Sequence, residues 1–587
     1  VREAAPDGAA PGLASWRWNA VAVVVFAVAL AVALGEVWRA DPRAAVPVGN
    51  SSAALLALSR ADVSFEAWLV DRHARTLARA PWRLFATEHC APGERTLTLG
   101  VPMITMGLLA VPAALLGEPI LAYNSAVLVM LFASALSMYL LATDWTGVPA
   151  AGIAAGLFFA MHPLRTGSLV HPAEMDIGWT ALALFFAQRL LAWGRWRDAV
   201  GLALAGALQI AASFYPTLAA FLLAPPLAFW LLRTYGLRRA RPAQLAFVAG
   251  ALLLAAACVL GPYLLERGSA PGRLQRGAHF YAPWAGYLPG QPFFPGWALV
   301  GLAALGLVLP RRLGFGALGR DPRAALCAGA FLVALVAGGP LGVTLLAPFG
   351  AGLDTPVPYE LLSAWLPGLD TVRVVMRLVA GVVLALSLLA AGGVAACVRL
   401  AGRRFAVPAA AALVALAAAS VLVPVLGRGG AVGIALLEIR PGREILDFFA
   451  RLEDAGNRGP ILELPYEGID GALLAPARIL TAAWHHRRTS ACFGSYALPE
   501  HEKITALAGA LPRPDAVREL AALGFTTVVV HEPKRWPGWP IERRLAQGTG
   551  RRYVRLRPLL ETEAASAFAI EVDAPPAREP RKTGPAG

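Results

Sequence analysis

Five ionisable groups fall within one short stretch, MHPLRTGSLVHPAEMD (161–176): His162, Arg165, His171, Glu174 and Asp176. Long apolar runs flank it on both sides. Two other places have the same character. An early polar loop carries Asp62, Glu66 and Asp71, then Glu88 and His89, and Arg373 and Arg377 stand one helical turn apart at the mouth of an apolar run. That spacing lets both guanidiniums face one way. Paired guanidiniums at a membrane interface suit a lipid phosphate or pyrophosphate, which accepts bidentate hydrogen bonds. A carboxylate across the cleft can deprotonate an acceptor hydroxyl or hold a divalent cation through oxygen. Ionisable groups kept at membrane depth usually line a pathway or a site.

Each group also has a plainer reading. Arg373 and Arg377 can snorkel to lipid head groups. Asp62 can be a solvated loop acid, and His162 a helix-end residue. Glu174 and Asp176 read as a solvated helix start. His171, Glu174 and Asp176 fit no strong metal-binding spacing. A third loop, 266–292, mixes Arg267, Arg273, Arg276 and His279 with Tyr281, Trp284 and Tyr287; aromatic residues there can stack on a sugar or form an interfacial belt.

The elements that must position these groups are set by composition. Of 587 residues, 57% are hydrophobic and 15% charged, and the mean hydropathy is +0.57. Apolar runs of roughly 17–25 residues recur, the length a helix needs to cross a bilayer core. The fold class is a polytopic α-helical membrane protein. Candidate spans are 19–38, 97–117, 119–142, 148–162, 177–194, 198–215, 217–232, 243–265, 293–310, 324–348, 374–398 and 405–426. The net charge of +14 comes largely from Arg in short loops, where topology accounts for it, and no zinc-finger spacing or basic helix supports nucleic-acid binding.

Arg clusters at 194–197, 233–241, 311–323 and 399–404 mark cytoplasmic ends, which leaves 161–176, 266–292, 349–373 and everything from 427 onward outside. Residues 1–18 read as a cytoplasmic N-terminus leading into a retained first span rather than a cleaved signal. Residues 39–96 read as an external loop with a helix lying on the membrane surface. One parity problem remains: both 39–96 and 161–176 are external, yet three apolar runs separate them. Either 97–117 or 148–162 fails to cross, so the total is 11–13 spans.

The tail is a different kind of chain. REILDFFARLEDAG reads as a helix, PILELP as a strand, and DAVRELAALGFTTVVVHEP as a helix, a Gly stop and a buried strand. Alternation of this kind predicts a small α/β domain in 427–573, and 574–587 reads as a disordered tail. Of five cysteines, Cys258, Cys327 and Cys397 lie in apolar runs. Cys90 and Cys492 lie in polar regions, and their spacing leaves a bridge between them open.

Several short pieces together resemble the GT-C superfamily of membrane glycosyltransferases, and within it an uncharacterised group of bacterial polytopic proteins. They are ADVSFEAW (61–68), EPILAYN (118–124), PLRTGSLVH (163–171) with Trp179, PYELLSAWLPGLDTVRVVMRL (358–378), ILELP (461–465), HRRTSACFGSY (486–496) and LGFTTVVVHE (523–532). The resemblance implies a polyprenyl-phosphate-linked sugar donor and transfer, usually with inversion, on the extracytoplasmic face of the bacterial inner membrane. The acceptor would be an envelope glycan, lipid or protein. It makes Asp62 the early-loop acid, a base or metal-binding position, and places Arg165, His171, Arg373 and Arg377 where donor phosphate contacts are expected. Glu88, His89 and Tyr359 complete the candidate substrate-binding set. No adjacent pair of acids stands in the early loop, so a divalent cation is left open without a paired-acid motif to support it. The alternative function is a non-catalytic protein that binds or translocates a polyprenyl lipid during envelope assembly; solute transport ranks third.

Overall fold

The computed structural model describes residues 16–49, 53–269, 280–338, 358–365, 372–426, 433–455, 458–466, 474–494, 500–532 and 554–572. The chain divides into two compact units. The first comprises residues 1–81, 101–271 and 275–439, and the second residues 82–100, 272–274 and 440–587. The reading of 1–18 as a cytoplasmic terminus and of 574–587 as a disordered tail falls mostly or wholly outside the described residues, as do Arg273, Arg276 and His279.

The first unit is helical and spans a membrane several times. A helix stands in each candidate run, from Trp16–Ala33 to Gly402–Leu426. Among the described residues six are long and apolar enough to cross alone: Trp16–Ala33, Pro119–Thr146, Phe214–Tyr235, Pro242–Glu266, Val375–Leu400 and Gly402–Leu426. The two runs behind the parity problem are both short. Ile104–Ala114 has 11 residues and Pro149–Ala160 has 12. Twelve residues rise about 18 Å, against a hydrocarbon core of about 30 Å, so neither covers the full thickness alone.

Val375–Leu400 is the inner helix, with 94% of its apolar window buried, against 17% for Pro242–Glu266 and 22% for Gly402–Leu426. The last two therefore keep their apolar faces for lipid. Small residues bring the inner helix close to Trp297–Val308. A Cβ on Gly306 would lie 2.0 Å from the Leu389 carbonyl oxygen, and one on Gly393 would lie 2.0 Å from that of Leu302. Backbone contact of this kind is how helices pack where no hydrophobic driving force separates them from lipid. It fixes the helix whose first turn carries Arg377.

A small sheet completes this unit. β1 (Ala45–Gly49) pairs antiparallel with β2 (Ile434–Glu438), Pro47 opposite Leu436. The side chain of Asn124 donates to the carbonyls of Pro42 and Ala45, both at 2.8 Å. Gly49 ends β1 against residue 167: a Cβ there would lie 1.9 Å from the Gly167 carbonyl oxygen. Only glycine allows that approach, and it seats the 163–171 segment.

The second unit is the α/β body. β3 (Ile461–Leu464) runs parallel to β4 (Thr527–His531), β4 pairs antiparallel with β6 (Ala565–Val572), and β5 (Val554–Glu561) pairs antiparallel with β6, giving the order β3-β4-β6-β5. Alternation sends Leu462, Leu464, Val528 and Val530 to one face, with Ile504, Val517 and Leu520 of two covering helices. Ile461 and Val529 go to the other, under Phe448, Phe449 and Leu452 of the helix Arg443–Asp454.

Residues 82–100 belong here. Cys90 is disulfide-bonded to Cys492, settling the question the spacing left open. Beside the bridge, Cys90 N–H donates to the Ala491 carbonyl at 2.9 Å, Ala91 N–H to Thr489 at 2.8 Å, and Thr489 N–H to Glu88 at 2.8 Å. The loop predicted as one external piece, 39–96, is therefore divided between two units.

A polar cluster is buried on β3. Glu463 accepts from His531 Nε2 at 2.6 Å and from the Thr489 hydroxyl, with Arg478 4.0 Å away. Burial alone would raise this carboxyl; the hydrogen bonds from His531 and Thr489 and the charge of Arg478 hold it instead at about 2. A depressed acid contributes stability above its unfolded value and loses it as pH falls through the folded one. Thermal melts of the full chain should thus lose stability between about pH 4.5 and about 2, and Glu463→Gln should flatten that decline. A wild-type decline in the variant would exclude Glu463 as its source.

Candidate active site

Asp62 and Glu66 lie one turn apart on the helix Ala53–Arg79, so their carboxylates share a face. Both meet His171. Its Nδ1 donates to Glu66 Oε1 at 2.7 Å, and its Nε2 is 3.4 Å from Asp62 Oδ2. The cluster is graded in depth: the Asp62 side chain is 30% exposed, His171 24% and Glu66 5%. Asp62 is the group a substrate can reach. Glu66 is the inner end, and its Oε2 is buried with no hydrogen-bond partner among the described residues.

Arg377 reaches the same place from the start of the inner helix. It is ion-paired with Glu174, its guanidinium lies 5.0 Å from the centre of the Tyr215 ring, and it interacts electrostatically with Asp62, Glu66 and His171. Burial pushes the Glu66 carboxyl above its ordinary value, against the pull of His171 and Arg377. Burial and Arg377 press the His171 imidazole down, but Glu66 and Asp62 outweigh them and hold it above its ordinary value. Two carboxylates clasping one imidazole favour its charged form.

Glu174 and Asp176 correct the reading of a solvated helix start, being 5% and 1% exposed. Glu174 holds Arg377. Asp176 lies 3.8 Å from Arg165 and accepts from Trp179 Nε1 at 2.9 Å, from the Gly178 N–H at 3.3 Å and from the Ser134 hydroxyl at 3.4 Å. Arg165, 2% exposed, is enclosed in return: it donates to the Phe159 carbonyl and to Ser134, both at 3.2 Å, and lies 5.0 Å from the Phe159 ring centre. Its two terminal nitrogens are thus held by protein, while its Nε is buried with no hydrogen-bond partner among the described residues. His162, at a helix end as its plainer reading had it, accepts from the Leu164 N–H at 3.1 Å, and its Nε2 donates to the Pro295 carbonyl at 3.1 Å.

The other candidates are placed as follows. Tyr359 is fully buried; its hydroxyl donates to the Val372 carbonyl at 3.0 Å and so pins the strand of chain leading to Arg377. Arg373 is half-buried, and its carbonyl accepts from the Phe280 N–H at 2.9 Å. Glu88 and His89 belong to the second unit and make that unit's own bonds: the Glu88 carbonyl takes the Thr489 N–H, and His89 Nδ1 lies 2.6 Å from the Thr87 hydroxyl. Asp71 pairs with Arg75 at 2.7 Å on its own helix. Among the described residues no three or more His, Cys, Asp or Glu side chains are arranged to hold a metal ion; Asp62 and Glu66 close on an imidazole rather than on a common point.

Three members of the site, Glu66, Glu174 and Tyr215, stand outside the candidate catalytic and substrate-binding set. The four-residue spacing of Asp62 and Glu66 was a usable signal for Glu66. Glu174 stands three residues after His171, within reach of the same face. Tyr215 carries no signal in its surroundings.

No protein-family model matches the sequence, and no curated protein matches it. Solved structures share its course at low identity. The arabinofuranosyltransferase AftD from Mycobacteria aligns with 96% of this chain at 16% identity and a TM-score of 0.46. The chain spans 40% of the length of that enzyme. ArnT from Cupriavidus metallidurans aligns with 95% of this chain and 98% of its own, at 14% identity and a TM-score of 0.44 in the apo state. Bound to undecaprenyl phosphate, it gives 13% identity and a TM-score of 0.46.

Proposed function

We propose that this chain is a membrane glycosyltransferase. It moves a sugar from a polyprenyl-phosphate-linked donor to an envelope glycan, lipid or protein acceptor on the extracytoplasmic face of the bacterial inner membrane. The observation that carries the reading is the convergence of Asp62, His171 and Arg377, from three distant parts of the chain, on one cluster. Asp62 is the general base for the acceptor hydroxyl, and Arg377 is the contact for the donor phosphate. A single accessible carboxylate suits one direct displacement, which inverts the anomeric centre. The donor class follows from the motif resemblance. The disulfide between Cys90 and Cys492 supports an oxidising, extracytoplasmic setting for the second unit.

The test is a panel of labelled polyprenyl-phosphate sugars given to the purified protein in proteoliposomes. Consumption of one donor, with a product of inverted configuration, is the expected result. A donor that binds and is never consumed would leave the carrier-binding alternative in its place. Arg377→Gln should weaken polyprenyl phosphate binding roughly 10- to 100-fold, the worth of one charge-assisted hydrogen bond. Glu174→Gln should strengthen it, because the donor phosphate competes with Glu174 for the same guanidinium. Equal affinities in all three proteins would remove Arg377 from the donor site.

A further inference from the structure

The carboxylate–imidazole–carboxylate chain has an inner member that no substrate reaches. Glu66 is 3% exposed, on the far side of His171 from the accessible Asp62. One of its oxygens holds His171 Nδ1 at 2.7 Å, and the other is buried without a hydrogen-bond partner among the described residues. Among those residues His171 is the group that hydrogen-bonds to this carboxylate, so the charges of the two are tied together.

We infer that Glu66 is a positioning residue that keeps His171 protonated and turned toward Asp62, so that Asp62 is already oriented when the acceptor arrives. This rests on the reading of Asp62 as the base. His171 faces Asp62 and Glu66 from the helix Ala53–Arg79 and Arg377 from the inner helix; Arg377 is in turn ion-paired with Glu174, and Tyr123, on Pro119–Thr146, interacts electrostatically with Glu66. With both ring nitrogens protonated, Nδ1–H is fixed by Glu66 and Nε2 lies 3.4 Å from Asp62 Oδ2. In the transfer step the acceptor oxygen bonds to the anomeric carbon as the bond from that carbon to the phosphate oxygen breaks. The acceptor proton passes to Asp62, the leaving electron pair stays on the polyprenyl phosphate, and Asp62 later returns its proton to water. Glu66 and His171 gain and lose nothing over the cycle.

The arrangement has a pH signature. The imidazolium is present below the raised His171 value and is lost as pH rises through it, so kcat/KM falls on an alkaline limb. Removing the Glu66 charge lets His171 lose its proton earlier. Glu66→Gln should move that limb down by about 1–3 pH units, the usual effect of one close opposite charge. Activity above the limb should fall about tenfold for each unit moved. Glu66→Asp, which keeps the charge, should keep the limb near its wild-type place, and His171→Gln should abolish it. A limb unmoved in Glu66→Gln, or one persisting in His171→Gln, would overturn the inference; if Glu66→Gln does not fold, Glu66→Asp and His171→Gln decide it. Undiminished turnover in Asp62→Asn strikes instead at the underlying function, so the two failures are distinguishable.

Discussion

Asp62→Asn should lower sugar transfer by roughly 10²–10⁴-fold, the span that a positioned general base contributes, while donor binding stays within a few-fold of wild type. The substitution is nearly isosteric. An amide oxygen still accepts from His171 Nε2, so the contact at 3.4 Å can persist, and only the basicity is lost. Arg377, which supplies the donor contact, is ion-paired with Glu174 and lies over the Tyr215 ring, while Asp62 acts on it through charge alone, so the variant should leave it in place. The measurement is single-turnover transfer beside equilibrium binding of the polyprenyl phosphate alone. Unchanged turnover would take Asp62 out of the mechanism. Loss of binding together with turnover would make it a structural acid. The separation of the two quantities is the point, since a base acts on the acceptor and has no part in holding the donor.

That experiment tests a residue legible in the sequence, and its neighbours show where legibility ended. Local features were read well. Run length found the apolar helices, and periodicity found the helices and strands around β3 and β4, because both signals lie within a window of a few turns. The pairing of β1 with β2 escaped, since AVPVG and IALLE lie almost the whole helical unit apart and neither carries a hairpin signal. The Cys90–Cys492 bond escaped for the same reason, joining residues 402 apart. Glu174 and Asp176 were misread because a charge in a loop between spans looks solvated until its partners are known. Those partners, Arg377 and Arg165, come from another helix and from the other end of the same stretch. Glu66 was legible in the spacing: it is not adjacent to Asp62 in sequence, but on a helix the relevant neighbour stands four residues on.

The buried pair of Arg165 and Asp176 should carry the largest stability effect in the 161–176 stretch. Both side chains are 1% exposed, and Asp176 accepts from Trp179, Gly178 and Ser134 as well as facing the guanidinium. Asp176→Ala strands a guanidinium with no carboxylate and leaves those donors unmatched, at a cost of about 3–5 kcal/mol. Replacing both residues by apolar side chains of similar volume, Arg165→Met with Asp176→Leu, removes the desolvation penalty along with the attraction. It should recover much of the loss. Thermal unfolding of the purified chain in detergent would order the three proteins as wild type, double variant, single variant. The same double variant decides what Arg165 does. If its guanidinium is a structural group enclosed by Asp176, Ser134 and Phe159, the double variant still binds polyprenyl phosphate. If Arg165 is instead a donor contact, as the motif resemblance implied, a well-folded double variant would lose binding as Arg377→Gln does.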